Sequence, residues 1–173
     1  MLAAVPAGCA ATNNPEHAFD APRLADVALQ DAVQRLRTSL VSSDFMARRD
    51  AGAEPATIEI SVVENLTGDR LTQAEMWVLA VRLLTAGPIQ ATARKENVTF
   101  SVAANGRDML QDTALAGPLA ASIEPTHHMK MTLRAVPEDT ARYYLEYRIT
   151  RIRSRRHVWA DSFTIQREVV TAD

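Results

Sequence analysis

The sequence predicts an α+β fold, built as a single mostly antiparallel (mixed) β-sheet with flanking helices and a C-terminal β-hairpin. Three patterns carry that prediction. Between Arg142 and Glu168 two alternating runs are separated by a polar turn, Arg-Ile-Arg-Ser-Arg-Arg-His. Tyr143, Leu145, Tyr147 and Ile149 fall on one face of the first run, opposite Tyr144, Glu146, Arg148 and Thr150, because strand side chains alternate. In the second run Trp159, Phe163 and Ile165 share a face, and Val158, Ala160 and Thr164 share the other. The second pattern is the helical spacing of Leu29, Val33, Leu36 and Leu40, and the third is an alternating run followed by a capped apolar helix between residues 57 and 87.

The 173 residues suit one domain with a core that needs no staples. The hydrophobic fraction of 47% and net charge of -2 describe an ordinary globular protein, with no excess charge to recruit nucleic acid or an anionic membrane. Arginines outnumber the two lysines, Lys95 and Lys130, a bias that reads first as genomic composition. Cys9 is the single cysteine, which excludes an intrachain disulfide or a multi-cysteine metal site.

Residues 1–23 are predicted to be the clipped end of a signal with a lipobox, followed by a flexible linker, and residues 24–173 the folded domain. The opening is small and apolar up to Cys9 and then turns polar at Thr12-Asn13-Asn14-Pro15. Ala7-Gly8-Cys9 resembles the end of a bacterial lipobox, whose cysteine thiol receives a diacylglycerol. Pro6 stands where Leu is usual, and no Lys or Arg precedes Cys9. Ala10 after the cysteine implies sorting to the outer membrane. No later apolar run approaches the roughly 20 residues of a membrane span, so anchoring would rest on acyl chains. A linker over residues 10–23 would reach at most roughly 50 Å.

A first helix is predicted from Leu24 to about Arg48, with Val41 beside its stripe and a break at Asp50-Ala51-Gly52. Thr57 to Val63 reads as a strand burying Ile58, Ile60 and Val62, and Glu64 to Asp69 as a turn. Thr72 and Glu75 have capping-box spacing ahead of Met76, Ala80 and Leu83, with Leu79 and Leu84 widening the stripe. Gly87-Pro88 is expected to stop that helix through a left-handed cap. Val98, Phe100 and Val102 mark a second strand, and Arg107 to about Leu115 a short helix before Gly117-Pro118. Met129, Met131, Leu133 and Ala135 make the strand ahead of the hairpin, with Pro137-Glu138-Asp139 as the turn.

From Leu24 to Glu168 this order of elements resembles the LpoB-like family of penicillin-binding protein activators, within the broader group related to the curli secretion protein CsgG. The resemblance rests on the strand ending Glu64-Asn65-Leu66-Thr67, the helix closing at Leu83-Leu84-Thr85-Ala86-Gly87, and the Val158-Trp159-Ala160-Asp161 phrase after Tyr143 to Ile149. Arg153-Ser154-Arg155-Arg156 replaces the family's Thr-Gly turn, and Thr132 stands near the family's late-strand Gly. The resemblance implies a non-enzymatic outer-membrane lipoprotein that binds and activates a peptidoglycan synthase in the periplasm. The alternative is a structural or accessory component of an envelope secretion or flagellar assembly.

No motif for catalysis, cofactor or phosphate binding occurs in the chain. His127-His128 are adjacent, so in a strand they face opposite ways and do not converge on one ion; they read as a solvent-facing pair. Ser42-Ser43-Asp44 and Glu138-Asp139 read as helix-end and turn residues. The concentrated charge is Arg148, Arg151, Arg153, Arg155 and Arg156, with His157. Arginine forks suit carboxylates of a protein partner or anionic wall polymers, so these residues are the candidate docking patch, set against a solvated tip that resists aggregation. Nucleic acid is not the expected partner, given the net acidity and export-like start. Trp159 and the tyrosines are assigned to the core. A small-ligand role would require a deep apolar pocket.

Overall fold

The computed structural model describes residues 26–49, 52–68, 72–111 and 124–166. The predicted signal, Cys9 and linker lie outside these residues, as does Gly117-Pro118. Helix α1 (Asp26–Ser42) buries Ala32, Val33, Leu36 and Leu40. The single long helix expected to Arg48 is instead two. Ser43 adopts an extended backbone, with φ -70 and ψ 149, and its hydroxyl accepts from the Met46 amide at 3.2 Å, so it N-caps a second helix, α2 (Asp44–Ala47). The redirected chain buries Phe45 and Met46, whereas Val41, expected beside the stripe, is 42% exposed.

Strand β1 (Ala56–Leu66) is longer than its alternation suggested, because Glu64, Asn65 and Leu66 pair with β3 rather than turning. Its register slips between Ile60, paired with Met129, and Val62, paired with Lys130. Ser61 is therefore a bulge residue, its hydroxyl donating to the Met129 carbonyl at 3.3 Å. The extra residue reverses the parity of everything beyond it. Val62, expected inside, is 38% exposed, and Val63 takes the inner position at 3%.

Helix α3 (Gln73–Thr85) begins with the expected capping box. The Thr72 hydroxyl accepts from the Glu75 amide, and the Glu75 carboxylate accepts from the Thr72 amide. It buries Met76, Ala80, Leu83 and Leu84, together with Trp77 and Val81. Gly87 is not a left-handed stop: no glycine among the described residues has positive φ. Ala86, at φ -55 and ψ 135, bends the chain, and α4 (Gly87–Lys95) starts with Pro88 in its first turn, where a missing amide costs nothing. Gln90 reaches back to the orphan Leu84 carbonyl at 2.8 Å. Asn97, at φ 53, turns the chain into β2 (Val98–Val102) while its side-chain amide donates to the Ala53 carbonyl at 2.8 Å. Helix α5 (Ala104–Leu110) starts three residues before the expected Arg107.

Strands β3 (His127–Val136), β4 (Asp139–Arg151) and β5 (His157–Gln166) form a meander. The sheet order is β2-β1-β3-β4-β5, with β1 parallel to both β2 and β3 and the last two ladders antiparallel. The sheet is thus mixed, and the fold α+β.

Paired residues project to the same side, which gives one inner face from Ile58, Ile60, Val63, Phe100, Met129, Met131, Leu145, Tyr147, Ile149, Trp159 and Phe163, all buried. The described helices cover this face. Tyr147 stacks on Phe163 with centroids 6.1 Å apart and lies 6.4 Å from Trp159, so Tyr147, Phe163 and Trp159 are core, as is Tyr143. Tyr144 on the other face is 37% exposed. Ala135, expected inside, is exposed where the β3–β4 register shifts between Ala135 and Val136.

Candidate partner-docking surface

Three of the predicted docking arginines sit together on the β4–β5 tip. Arg153, Arg155 and Arg156 are exposed and make no ion pair among the described residues. The turn that holds them is tied at both ends. The Arg151 amide donates to the Arg156 carbonyl at 2.9 Å, and the Ile152 amide to the Thr126 carbonyl at 3.0 Å. Arg155 has φ 54, a left-handed conformation that lets the five-residue loop close. Ile152, 37% exposed, places one apolar side chain among the arginines.

Arg151 is held differently. It points to the inner side, where its Nε donates toward His127 Nε2 at 3.4 Å. His127 Nδ1 lies 2.8 Å from the Thr126 hydroxyl, which donates to the Thr57 carbonyl at 3.1 Å and accepts from the Thr57 amide at 3.0 Å. The remaining lone pair of that hydroxyl accepts a hydrogen bond from Nδ1–H, which leaves Nε2 bare to accept from Arg151. This network describes a neutral imidazole. Burial first, and then the charges of Arg151 and Arg49, lower the His127 pKa from 6.5 to about 4. The pair expected to face solvent is therefore split: His127 is buried at 4% exposure, while His128 lies on the opposite face, 3.5 Å from Glu59.

Arg49 completes this end of the sheet. Its guanidinium donates to the carbonyls of Glu54, Glu96 and Asn97 and lies 5.7 Å over the Phe45 ring. Burial first, then Arg151, push its pKa below the usual arginine value. Arg48 follows α2, and Arg94 and Lys95 end α4, which returns the chain to the start of β2. Because β1, β2 and β3 all begin at the end where the β4–β5 tip lies, the topology gathers these cations with Arg151, Arg153, Arg155 and Arg156. Glu54 and Glu96, whose charges act on Arg49, offset them in part. At about 4.8 Å per strand the basic end is roughly 20 Å wide.

Reading the sequence linearly found the tip and missed Arg48, Arg49, Arg94 and Lys95, since nothing local says that two helix ends converge on a hairpin turn. The available signal was that each pair closes a helix, where cations complement the dipole. Arg148, by contrast, does not join this surface. Three residues from Arg151 and of opposite parity, it stands on the sheet face away from the described helices.

Among the described residues no three His, Cys, Asp or Glu side chains come together to hold a metal ion. The cavity between α1, α4 and Phe100 measures only about 10 Å³, room for one water at most and not for an organic ligand. No described helix is long and apolar enough to cross a membrane.

No protein-family model matches the chain, and no curated protein matches it. Solved structures do. The LpoB C-terminal domain from Salmonella enterica is 13% identical at a TM-score of 0.47, with 80% of this chain and 98% of that chain covered. The LpoB C-terminal domain from Escherichia coli is 13% identical at a TM-score of 0.45, covering 79% and 96%. Lipoprotein GNA1162 from Neisseria meningitidis is 18% identical at a TM-score of 0.41, covering 69% and 86%. These likenesses concern the path of the backbone alone.

Proposed function

We propose that this chain is a non-enzymatic lipoprotein, anchored through Cys9 to the periplasmic face of the outer membrane, that binds a penicillin-binding protein and activates it. The observation that supports binding is the tip itself: Arg153, Arg155 and Arg156, exposed and unpaired among the described residues, are carried on a turn fixed by two backbone hydrogen bonds. A preorganised cationic turn loses little freedom when it meets carboxylates on a partner, and opposite charge raises the encounter rate. The activator role is drawn from the sequence phrases around Asn65 and Trp159. Physically, activation requires tighter binding to the enzyme's active conformation, with about 1.4 kcal/mol of difference for each tenfold shift in population.

The test is capture from crosslinked bacterial envelope with the full chain as bait, beside an Arg153→Glu/Arg155→Glu/Arg156→Glu variant. Recovery of a bifunctional penicillin-binding protein by the parent and its loss in the variant is the expected result, with faster glycan polymerisation when the purified pair is mixed. Recovery of secretion or flagellar components without a synthase would reject the activator role and favour an accessory part in such an assembly. Mass spectrometry of membrane-extracted protein checks the anchor, which a Cys9→Ser substitution should abolish.

A further inference from the structure

The face of β3, β4 and β5 away from the described helices is hollow. Lys130 and Arg134 on β3, Glu146 and Arg148 on β4, and Ala160 and Ser162 on β5 border a concavity of about 410 Å³. It is hollow because β5 contributes small side chains there: Ala160 stands opposite Arg148, and Ser162 opposite Glu146. Two of the carboxylates nearby are paired with cations, and a third, Asp161, meets a backbone amide. Glu64 meets Lys130 Nζ at 2.6 Å, Glu146 meets Arg134 Nε at 2.8 Å, and Asp161 accepts from the Ser162 amide at 2.8 Å.

Arg148 is left over. It is exposed, makes no ion pair among the described residues, and has Lys130 as its register partner on β3. Like charges placed opposite one another weaken a sheet, so the fold itself gains nothing from a cation here. What Arg148 offers is a planar fork of donors with no acceptor, beside an open polar hollow and a second cation.

We propose that this hollow is a subsite for a carboxylate carried on an extended acidic peptide segment of a partner, held bidentately by Arg148 beside the Lys130–Glu64 pair. A peptide fits better than a free metabolite. The hollow is open and polar and lacks the enclosing apolar walls that retain small organic ligands, whereas a peptide lying across it can add polar contacts to the side chains of Arg134 and Ser162 that border it. The proposal does not rest on the penicillin-binding protein reading, because Arg148 lies on a different face from the tip.

The experiment titrates the isotope-labelled full chain, in buffer of physiological ionic strength, with the blocked peptide acetyl-Thr-Glu-Thr-Glu-Thr-amide and with its Gln counterpart. Saturable amide shifts at Lys130, Arg148, Ala160 and Ser162 are expected with the Glu peptide, and at least tenfold weaker binding of the Gln peptide. Arg148→Gln should weaken the Glu peptide tenfold or more, and Arg148→Lys by less, since a point charge keeps attraction but loses the fork. An Arg153→Gln/Arg155→Gln/Arg156→Gln variant should bind within threefold of the parent. Since Arg148 is exposed, thermal unfolding of Arg148→Gln should be unchanged or higher, separating a binding defect from a folding defect. Absence of saturation, equal binding of the two peptides, shifts confined to residues 152–157, or inorganic phosphate binding as tightly as the Glu peptide would each overturn the assignment.

Discussion

Stability should fall on acidification through His127, and the window follows from its surroundings. In the unfolded chain the imidazole titrates near 6.5, whereas in the fold burial and the guanidinium groups of Arg151 and Arg49 hold it to about 4. Between those values the unfolded state binds a proton that the folded state refuses, so stability rises with pH across the window and drops on acidification. Above pH 6.5 both states are neutral and the group contributes no slope; below about 4 both are charged and the loss is complete. At 1.36 kcal/mol per pKa unit the full interval corresponds to about 3 kcal/mol. Arg151 is exposed and its field is screened, which brings the expected loss to about 1–2 kcal/mol. Urea unfolding of the parent and of His127→Gln at pH 7, 6, 5 and 4.5 isolates this contribution, because both proteins share every other titrating group. The parent should lose about 1–2 kcal/mol more than the variant between pH 7 and 4.5. Equal slopes would mean that His127 is not held neutral, and the network from Thr57 through Thr126 to Arg151 would be wrong.

Other substitutions test the packing. A Cβ on Gly106 would meet Val102 at 2.6 Å and the Trp77 ring at 2.7 Å, so Gly106→Ala should destabilise by about 1–3 kcal/mol despite the better helix former. Gly87→Ala, with nothing within 4 Å of the added methyl, should gain about 0.4–1 kcal/mol in the same denaturation assay. Val63→Ala should cost about 1.5–3 kcal/mol and Val62→Ala under about 0.5 kcal/mol, an order that reverses if β1 has no bulge. Ser43→Ala should cost about 1 kcal/mol through loss of the α2 cap, read by urea unfolding.

The elements whose periodicity is strong and local were legible in the sequence. Alternation placed Tyr143, Leu145, Tyr147 and Ile149 inside, and the Thr72–Glu75 spacing fixed the start of α3. What was not legible depended on one-residue events or on distant pairing. A bulge at Ser61 changes the parity of β1 without changing its composition, so Val62 and Val63 cannot be told apart by pattern. Gly87-Pro88 reads equally as an end and as a beginning, because a helix start tolerates Pro as well as a helix stop does. The docking patch was half legible: five arginines stood out as a run, yet alternation sends Arg148 and Arg151 to opposite sides, and only the parallel pairing of β1 with β2 and β3 brings Arg49 and Lys95 to the same end.

The strand order also sets the route by which the chain folds. Strands β3, β4 and β5 pair through short connections, whereas β1 reaches β3 only by closing the span from Ile58 to His127. Closing that long loop costs entropy before any contact repays it, and the meander offers a ready surface on which to close it. The expected nucleus is therefore the C-terminal half, with the interior strand β1 docking after it. Leu145→Ala should chiefly slow refolding, and Ile58→Ala should chiefly speed unfolding. Although β1 is paired on both sides in the finished sheet and appears first in the sequence, it would be among the last strands to find its place, leaving the N-terminal half the more exposed to proteolysis while the protein matures.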